Sequence, residues 1–448
     1  MSLHFYIKTF GCQMNERDSE IIAQSLSQHN YIETIDIDSA DLIILNTCSI
    51  RAKAEQKVMS MLGYLRKAKK SRPDLKICVA GCVAQQEGEK LLERMPHVDL
   101  VVGTQHIYGI PSLLDKKSYS GERVATDLSD KYAIPRFIPD TSETHSTQNQ
   151  NQQFSRFVTI MQGCNNYCTY CVVPYTRGRE VSRKYSDIID EINVLVDSGV
   201  IEITLLGQNV NSYGKTNPVT NDGSPFSFPQ LIHEVSKINR LERLRFTTSN
   251  PKDLNDDLMK CFRDVPKLCP QFHLPVQSGS NRILKKMNRK YSIEKYLELV
   301  DSLRKYCPGI ALTTDIIVGF PGEEKHDFDE TMKLLETVRF DASFSFKYSD
   351  RPGTASLHLS DKIDEEEKSR RLAVFQKRQN EISLERNNGY IGKTVKVLVE
   401  SLTAKGYQCR AATNHVVHVE TSTTLVPGCF ADIQIVHAGQ HSLKGRPI

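Results

Sequence analysis

The sequence predicts an α/β protein in three parts: an N-terminal parallel sheet with helices, a central partial (β/α)6 barrel, and a small antiparallel β-barrel at the C-terminus. Three observations predict it. β-Branched runs alternate with helix-period segments through the first third, and six more strand and helix alternations follow residue 150. After Tyr390 the runs become short and close together, with no helical period between them. The 448 residues exceed one ordinary domain, and at about 100–200 residues each they make two to four.

The first part, residues 1–120, reads as a Rossmann-like domain. Its strands are expected at Leu3–Phe10, Asp41–Asn46, Lys76–Ala80 and Asp99–Val102, and its helices at Arg17–His29, Lys53–Lys70 and Glu87–Met95. Cys12, Cys48 and Cys82 then stand just past the first, second and third strands. The carboxyl ends of parallel strands lie along one sheet edge, where ligands bind, so three thiols far apart in sequence can converge on one metal centre. Gly11 and Gly81 directly precede two of them and let backbone approach a bulky group. Cysteine is also among the most buried residue types, and periodicity alone leaves three inert core thiols as an equal alternative. Cys78, inside the third strand, reads as such a core residue. Cys261, Cys269, Cys307, Cys409 and Cys429 have no ligand spacing and read as structural.

Residues 121–149 connect the first part to the second, and Thr141–Gln153 is almost without apolar side chains, as expected of a flexible linker. The second part, residues 150–382, has strands at Arg156–Met161, Ile201–Leu206, Arg243–Thr248, Gln271–Pro275, Ala311–Val318 and Asp341–Lys347. A parallel sheet of six βα units curls, so a partial barrel is expected, with its chemistry at the carboxyl ends of the strands. Directly after the first of these strands comes Gly163-Cys-Asn-Asn-Tyr-Cys-Thr-Tyr-Cys171, which spaces Cys164, Cys168 and Cys171 as C-x3-C-x2-C. One short loop can thus hold three corners of an iron-sulfur cube and leave one iron open. An open iron can chelate the amino and carboxylate groups of S-adenosylmethionine (SAM), and the reduced cluster can pass an electron to its sulfonium. Structural zinc wants four ligands, usually from two knuckles, and no second knuckle follows. With Tyr170 before the last cysteine, the loop resembles the radical-SAM signature, and the second part is accordingly expected to be a radical-SAM barrel.

Other strand ends offer SAM contacts: Gln208 and Asn209 after the second strand, Thr248 and Ser249 after the third, and Gln277 after the fourth. Each equally suits a turn or a helix cap. Arg177, Arg179 and Arg183 follow the cysteine loop near the barrel mouth, where they meet RNA phosphates or form a solvated face. Lys285, Lys286, Arg289 and Lys290 form a second basic group on an expected helix, which meets RNA or, at least as readily, forms helix surface.

Composition excludes disorder: 39% of residues are hydrophobic and 25% charged. A net charge of +4 permits a nucleic-acid partner without demanding one. The N-terminus lacks a signal-peptide core and no run of about 18 apolar residues occurs, so no membrane association and a cytoplasmic location are expected. In a reducing compartment the 12 cysteines are not expected to form disulfides, and their thiols stay free for metals or catalysis. Asp364–Asn388 is highly charged and helical in pattern and bridges to the last part, residues 385–448. There, strands at Thr394–Glu400, Gln408–Ala412, Val416–Glu420 and Cys429–Val436 suggest an OB-like barrel, a fold suited to gripping nucleic acid.

Thr9-Phe-Gly-Cys-Gln-Met-Asn-Glu16, Asn46-Thr-Cys-Ser-Ile-Arg51 and Ala80-Gly-Cys82 resemble the N-terminal domain of the methylthiotransferase family of radical-SAM enzymes. The resemblance implies that Cys12, Cys48 and Cys82 hold an auxiliary 4Fe-4S cluster. Asp315–Glu323 resembles the family's glycine-containing strand beside the adenine of SAM, through Gly319. The C-terminal part, with Ser442-Leu-Lys-Gly445, resembles the TRAM RNA-binding module. Where that module shows Gly-Arg-Thr before an Asn, this chain departs from it with Ala411-Ala412-Thr413-Asn414, and Arg410 and Asn414 are the residues it offers to RNA there.

Gly11–Glu16, Asn46–Glu55 and Gly163–Cys168 are most similar to members acting on N(6)-isopentenyladenosine at tRNA position 37. The implied reaction inserts sulfur and a methyl group at carbon 2 of that base. Two 4Fe-4S clusters, SAM as radical source and methyl donor, and an electron donor such as flavodoxin or ferredoxin are implied too, for a monomer that binds the tRNA anticodon loop. A sister enzyme acting on threonylcarbamoyladenosine in tRNA, or on an aspartate of a ribosomal protein, is the alternative within the family. A non-catalytic iron-sulfur RNA-binding protein is the alternative outside it.

Overall fold

The computed structural model describes residues 3–49, 52–115, 123–140, 154–420 and 423–448. The expected linker Thr141–Gln153 lies outside them. Strands β1 (Leu3–Thr9), β2 (Tyr31–Glu33), β3 (Leu42–Thr47), β4 (Lys76–Gly81), β5 (Leu100–Val102) and β6 (Val124–Ala125) form one parallel sheet in the order β2-β1-β3-β4-β5-β6. β3 is buried on both faces and reads as a continuous apolar run for that reason. Phe5, Leu42, Ile44, Cys78 and Val102 pack on one side with Ile21, Ile22 and Leu26 of the helix Gln13–Ser27. Ile43, Leu45, Ile77, Val79 and Val101 pack on the other with Val58, Leu62 and Leu65 of the helix Ala52–Ser71.

The sheet runs past residue 120 to β6. β2 was not expected, since a three-residue strand carries too little periodicity to be seen. The expected helix Glu87–Met95 is two helices, Cys82–Glu87 and Glu89–Arg94, because Gly88 between them turns to φ +50°.

In the centre, β7 (Ser155–Thr159) is followed by two short strands, β8 (Met161–Gln162) and β9 (Val181–Ser182), and then by β10 (Glu202–Leu206) and β11 (Arg243–Phe246). β12 (Gln271–His273), β13 (Ala311–Val318) and β14 (Ala342–Lys347) complete the wall. β7, β10 and β11 pair in parallel, as do β12, β13 and β14, and an isolated parallel bridge from Leu244 of β11 to Leu268, just before β12, links the two groups. The result is an open, six-strand partial barrel. Ile203, Leu205, Leu244, Phe246, Phe272, Leu312 and Ile316 face outward into the helices and form the largest core. Their alternates face the lumen: Thr204, Arg245, His273, Asp315 and Phe344. β8 and β9 pair antiparallel and close the base of the cysteine loop between them.

The helix Glu365–Asn388, capped by Asp364 through the amide of Glu367, packs on β14. It leads into a closed barrel of β15 (Thr394–Thr403), β16 (Gly406–Ala411), β17 (Val416–Val419), β18 (Phe430–Ala438) and β19 (Ser442–Pro447), in the order β15-β16-β17-β19-β18. Only four of these five strands are visible in the sequence, because β19 offers a single buried aliphatic residue, Leu443.

Candidate metal centres and active site

Cys12, Cys48 and Cys82 meet at the carboxyl edge of the N-terminal sheet. Cys12 precedes the helix Gln13–Ser27, and Cys82 is the first residue of its own helix. The glycines are required by geometry. At Gly11, φ is +129° and an added Cβ would lie 2.2 Å from Cys48 Cβ; at Gly81, φ is +91° and a Cβ would lie 2.5 Å from Thr47 O. The Cys12 thiol is pulled down to about 6, chiefly by a hydrogen bond with Cys48, against its burial and helped by the charge of Arg177. Burial pushes the Cys82 thiol up, and Arg177 opposes that too.

Arg177 is buried. It donates to Asp18 at 2.6 Å and to Asn15 Oδ1 at 3.0 Å, and Cys12 Sγ stands 3.8 Å from the same Asn15 oxygen. Burial disfavours the guanidinium's charge, but Asp18, Cys82 and Cys12 outweigh it and hold its pKa well above the usual value. The sequence reads Arg177 and Arg183 as meeting RNA phosphates or forming a solvated face, and the structure corrects both readings by burying them. Arg183 is buried, pairs with Glu191, and donates to Phe137 O at 3.0 Å. Glu191 also pairs with Arg17, so this buried network joins the N-terminal domain to the barrel. Arg179 alone of the three is exposed, 3.8 Å from Asp130.

The second thiol group lies at the end of β8. Gly163 has φ +80°, and a Cβ there would stand 2.1 Å from Arg179 O. Its amide donates to Gln208 Oε1 at 2.6 Å, and the Cys164 amide donates to Gly178 O at 3.2 Å. Asn166 Nδ2 lies 3.3 Å from Cys164 Sγ and Arg289 Nη1 lies 3.3 Å from Cys168 Sγ, so two of the sulfurs have a nitrogen donor. Segment 287–289 braces the loop: Met287 O accepts from the Thr169 amide at 3.1 Å, and Asn288 Nδ2 donates to Tyr167 O at 2.9 Å. Burial pushes the Cys171 thiol up to about 12, with the charge of Cys168 adding to it, and burial raises Cys164 as well.

Arg289 was read as helix surface. It is instead half-buried, donating also to Pro275 O at 2.9 Å. Nothing in the string Lys285–Lys290 separates it from Lys285 and Lys290, which are exposed, since its turn inward depends on the loop it meets.

The remaining expected contacts fall into two groups. Gln208 and Asn209 lie beside the loop. Asn209 Nδ2 donates to Asp253 at 2.8 Å, while its Oδ1 is buried without a partner, as is Gln162 Nε2. Thr248 and Gln277 have φ of +69° and +76°, uncommon for such residues and typical of functional strand ends. Ser249 donates to His273 O. Gly319 has φ +69°, and a Cβ there would meet the Lys368 side chain at 2.2 Å. In the C-terminal barrel, Arg410 is held by Glu400 at 2.8 Å and Asn414 is exposed.

Cys78, Cys261 and Cys409 sit in cores, as expected, whereas Cys429 is exposed. Two sets of three thiols, each with glycine-enabled close approach and a buried or half-buried arginine, fit iron-sulfur clusters bound by three protein ligands. Unpartnered Asn209 Oδ1 and Gln162 Nε2 near the loop fit a polar ligand such as SAM.

Known proteins resemble this chain over nearly its whole length. A family model described as "Uncharacterized protein family UPF0004" matches residues 4–103, and one described as "Radical SAM superfamily" matches residues 158–335. A protein from Desulfotalea psychrophila named tRNA-2-methylthio-N(6)-dimethylallyladenosine synthase is 62% identical over 441 residues, 98% of each chain. One of the same name from Syntrophobacter fumaroxidans is 49% identical, covering 99% of this chain and 95% of its own. Among solved structures, the radical S-adenosylmethionine methyltransferase TsrM from Kitasatospora setae shares the fold at a TM-score of 0.58 and 12% identity, over 77% of this chain and 73% of that one.

Proposed function

The chain belongs to the tRNA-2-methylthio-N(6)-dimethylallyladenosine synthase family, and from that membership we propose that it converts N(6)-isopentenyladenosine (the dimethylallyl nucleoside) at tRNA position 37 to its 2-methylthio derivative. The observation that carries this is the pair of thiol triads, one at each of two sheet edges. Carbon 2 of an adenine bears an unactivated C–H bond that side-chain acids and bases cannot break at neutral pH. A 4Fe-4S cluster on Cys164, Cys168 and Cys171 supplies, when bound, the electron that cleaves SAM to a 5'-deoxyadenosyl radical able to break it, while one on Cys12, Cys48 and Cys82 supplies a site for sulfur.

The chain's own residues do the holding. Gln208 ties the loop to β10, and Asn166 and Arg289 place donors against its sulfurs. Asn15, Asp18 and Arg177 fix the other triad and couple it to the barrel. Asn209 and Gln162 offer polar atoms to SAM, and Arg179, Arg410 and Asn414 are the residues left to meet RNA. The C-terminal barrel, resembling a TRAM module, grips the tRNA, whose anticodon-loop base is already unpaired and costs less to present than one in a duplex. The chain works in the cytoplasm as a monomer, reduced by a flavodoxin or ferredoxin. No helix among the described residues is long and apolar enough to cross a membrane.

The relatives' shared name favours this substrate over threonylcarbamoyladenosine or a ribosomal aspartate. Anaerobic incubation with SAM, dithionite and tRNA carrying isopentenyladenosine, followed by mass spectrometry of the nucleosides, tests it. A 2-methylthio product is expected. 5'-Deoxyadenosine without that product would move the enzyme to another substrate.

A further inference from the structure

Resting on the substrate proposed above, we infer that Phe344 and Phe346 are specificity-determining residues that receive the isopentenyl chain. β14 has two faces. The outer one is covered by the helix Glu365–Asn388, with Gln376 donating to Ser345 Oγ at 3.2 Å and Lys347 to Ser369 Oγ at 3.2 Å. The inner one presents Phe344 and Phe346 to the lumen, 53% and 40% exposed. All 17 phenylalanines are among the described residues, and these two alone are exposed. Two large rings next to each other on one face, left in water, are the kind of surface an apolar ligand covers.

The parallel register shows what surrounds them. Phe344 pairs with Asp315 and Phe346 with Ile317, so all four share the lumen face. His273, on β12, is in the same layer: its ring meets Phe344 edge-on at 5.9 Å, its Nε2 is 3.5 Å from Asp315, and its Nδ1 is 2.9 Å from Thr313 Oγ1. Ile317 packs against the same small group, Ile283, Met287, Phe320 and Tyr348, as Tyr170 of the cysteine loop. The two rings therefore begin beside the loop, and each two-residue step along the strand away from it covers about 7 Å, the scale of a nucleobase with a five-carbon chain.

The far wall of the lumen is occupied. Arg243 and Arg245 on β11 donate to the carbonyls of Lys396, Arg410, Ala411 and Ala412, seating the C-terminal barrel there. The open part of the lumen is thus the part lined by the phenylalanines. It combines an apolar floor with a His273–Asp315 pair able to hydrogen-bond a base edge. That chemistry matches an adenine carrying an aliphatic N(6) substituent, and it does not match the charged threonylcarbamoyl group, whose carboxylate would meet rings and Asp315.

The test compares wild type with F344S/F346S, F346S alone and F344L. The probes are anticodon stem-loop RNA with isopentenyladenosine or plain adenosine at position 37. Wild type is expected to prefer the alkylated RNA. In F344S/F346S that preference in binding should fall towards one, and kcat/KM for methylthiolation should drop about 10- to 100-fold, mostly through KM. Bound iron and RNA-independent 5'-deoxyadenosine formation should persist, F346S should show part of the loss, and F344L should keep the preference. A preference that survives in F344S/F346S and in F346S overturns the inference alone. Absence of any preference in wild type overturns the substrate reading and the inference with it.

Discussion

Cys164, Cys168 and Cys171 come from one loop, whereas Cys12, Cys48 and Cys82 come from three strand ends with whole helices between them. Each triad also has its own arginine, and the two arginines are treated differently. Arg177 is matched by Asp18 at 2.6 Å, so the guanidinium beside the N-terminal triad arrives already paired. Arg289 lies against Cys168, Pro275 O and Tyr291, and no carboxylate pairs with it among the described residues. Its charge is therefore left for the loop sulfurs. The N-terminal triad draws its electrostatics from an interface between domains, and the loop triad draws its own from a segment of the barrel that carries it.

Removing a ligand should separate the two centres most strongly. Cys168→Ala is expected to abolish 5'-deoxyadenosine formation, while Cys48→Ala should leave it and eliminate the methylthio product. Loss of both activities in Cys48→Ala would mean that the centres are not independent.

A smaller effect comes from the arginine that is paired. Arg177→Met leaves Asp18 buried without its partner and should cost about 3–5 kcal/mol in urea unfolding, with iron lost from one centre. Adding Asp18→Leu should return most of that stability. If the single variant is neutral, the pair is not the electrostatic link between the domains.

Arg289→Met should act more mildly on folding and more directly on redox chemistry. Losing a charge-assisted hydrogen bond worth about 1.5–3 kcal/mol should slow SAM cleavage about tenfold or more and make the loop centre harder to reduce in an EPR-monitored titration. An unchanged potential would erase the distinction between the two arginines.

The smallest test needs no activity. Cys12 and Cys171 are both partly exposed, yet hydrogen bonding to Cys48 holds one near 6 and burial pushes the other to about 12. A thiol reacts as its anion, which forms above its pKa. In metal-free protein at pH 8, iodoacetamide should label Cys12 well before Cys171, and Cys12 labelling should fall as pH drops below about 6. Equal rates would place the two thiols in equivalent surroundings.

Legibility in the sequence follows the range of the interactions. Cys164, Cys168 and Cys171 are legible because one loop supplies all three and the spacing is the geometry. Cys12, Cys48 and Cys82 are half legible: strand periodicity puts each at a carboxyl end, and the resemblance of the flanking strings completes the set. The phenylalanines of β14 are visible only as alternation, because the open side of a strand depends on where the helix Glu365–Asn388 packs.

Arg177, Arg183 and Arg289 show the limit most clearly. All three look like solvated basic residues, and an arginine's long side chain can lie in water or turn inward with no change in local pattern. Which it does depends on partners such as Asp18, Glu191 and Cys168, supplied from distant parts of the chain. By itself the sequence determined the order of three α/β and β domains and the positions of the thiols, since periodicity, glycines and short spacings are local. Only the tertiary structure decided which charges are buried against those thiols and which face of β14 stays open, because both depend on contacts between elements far apart in the chain.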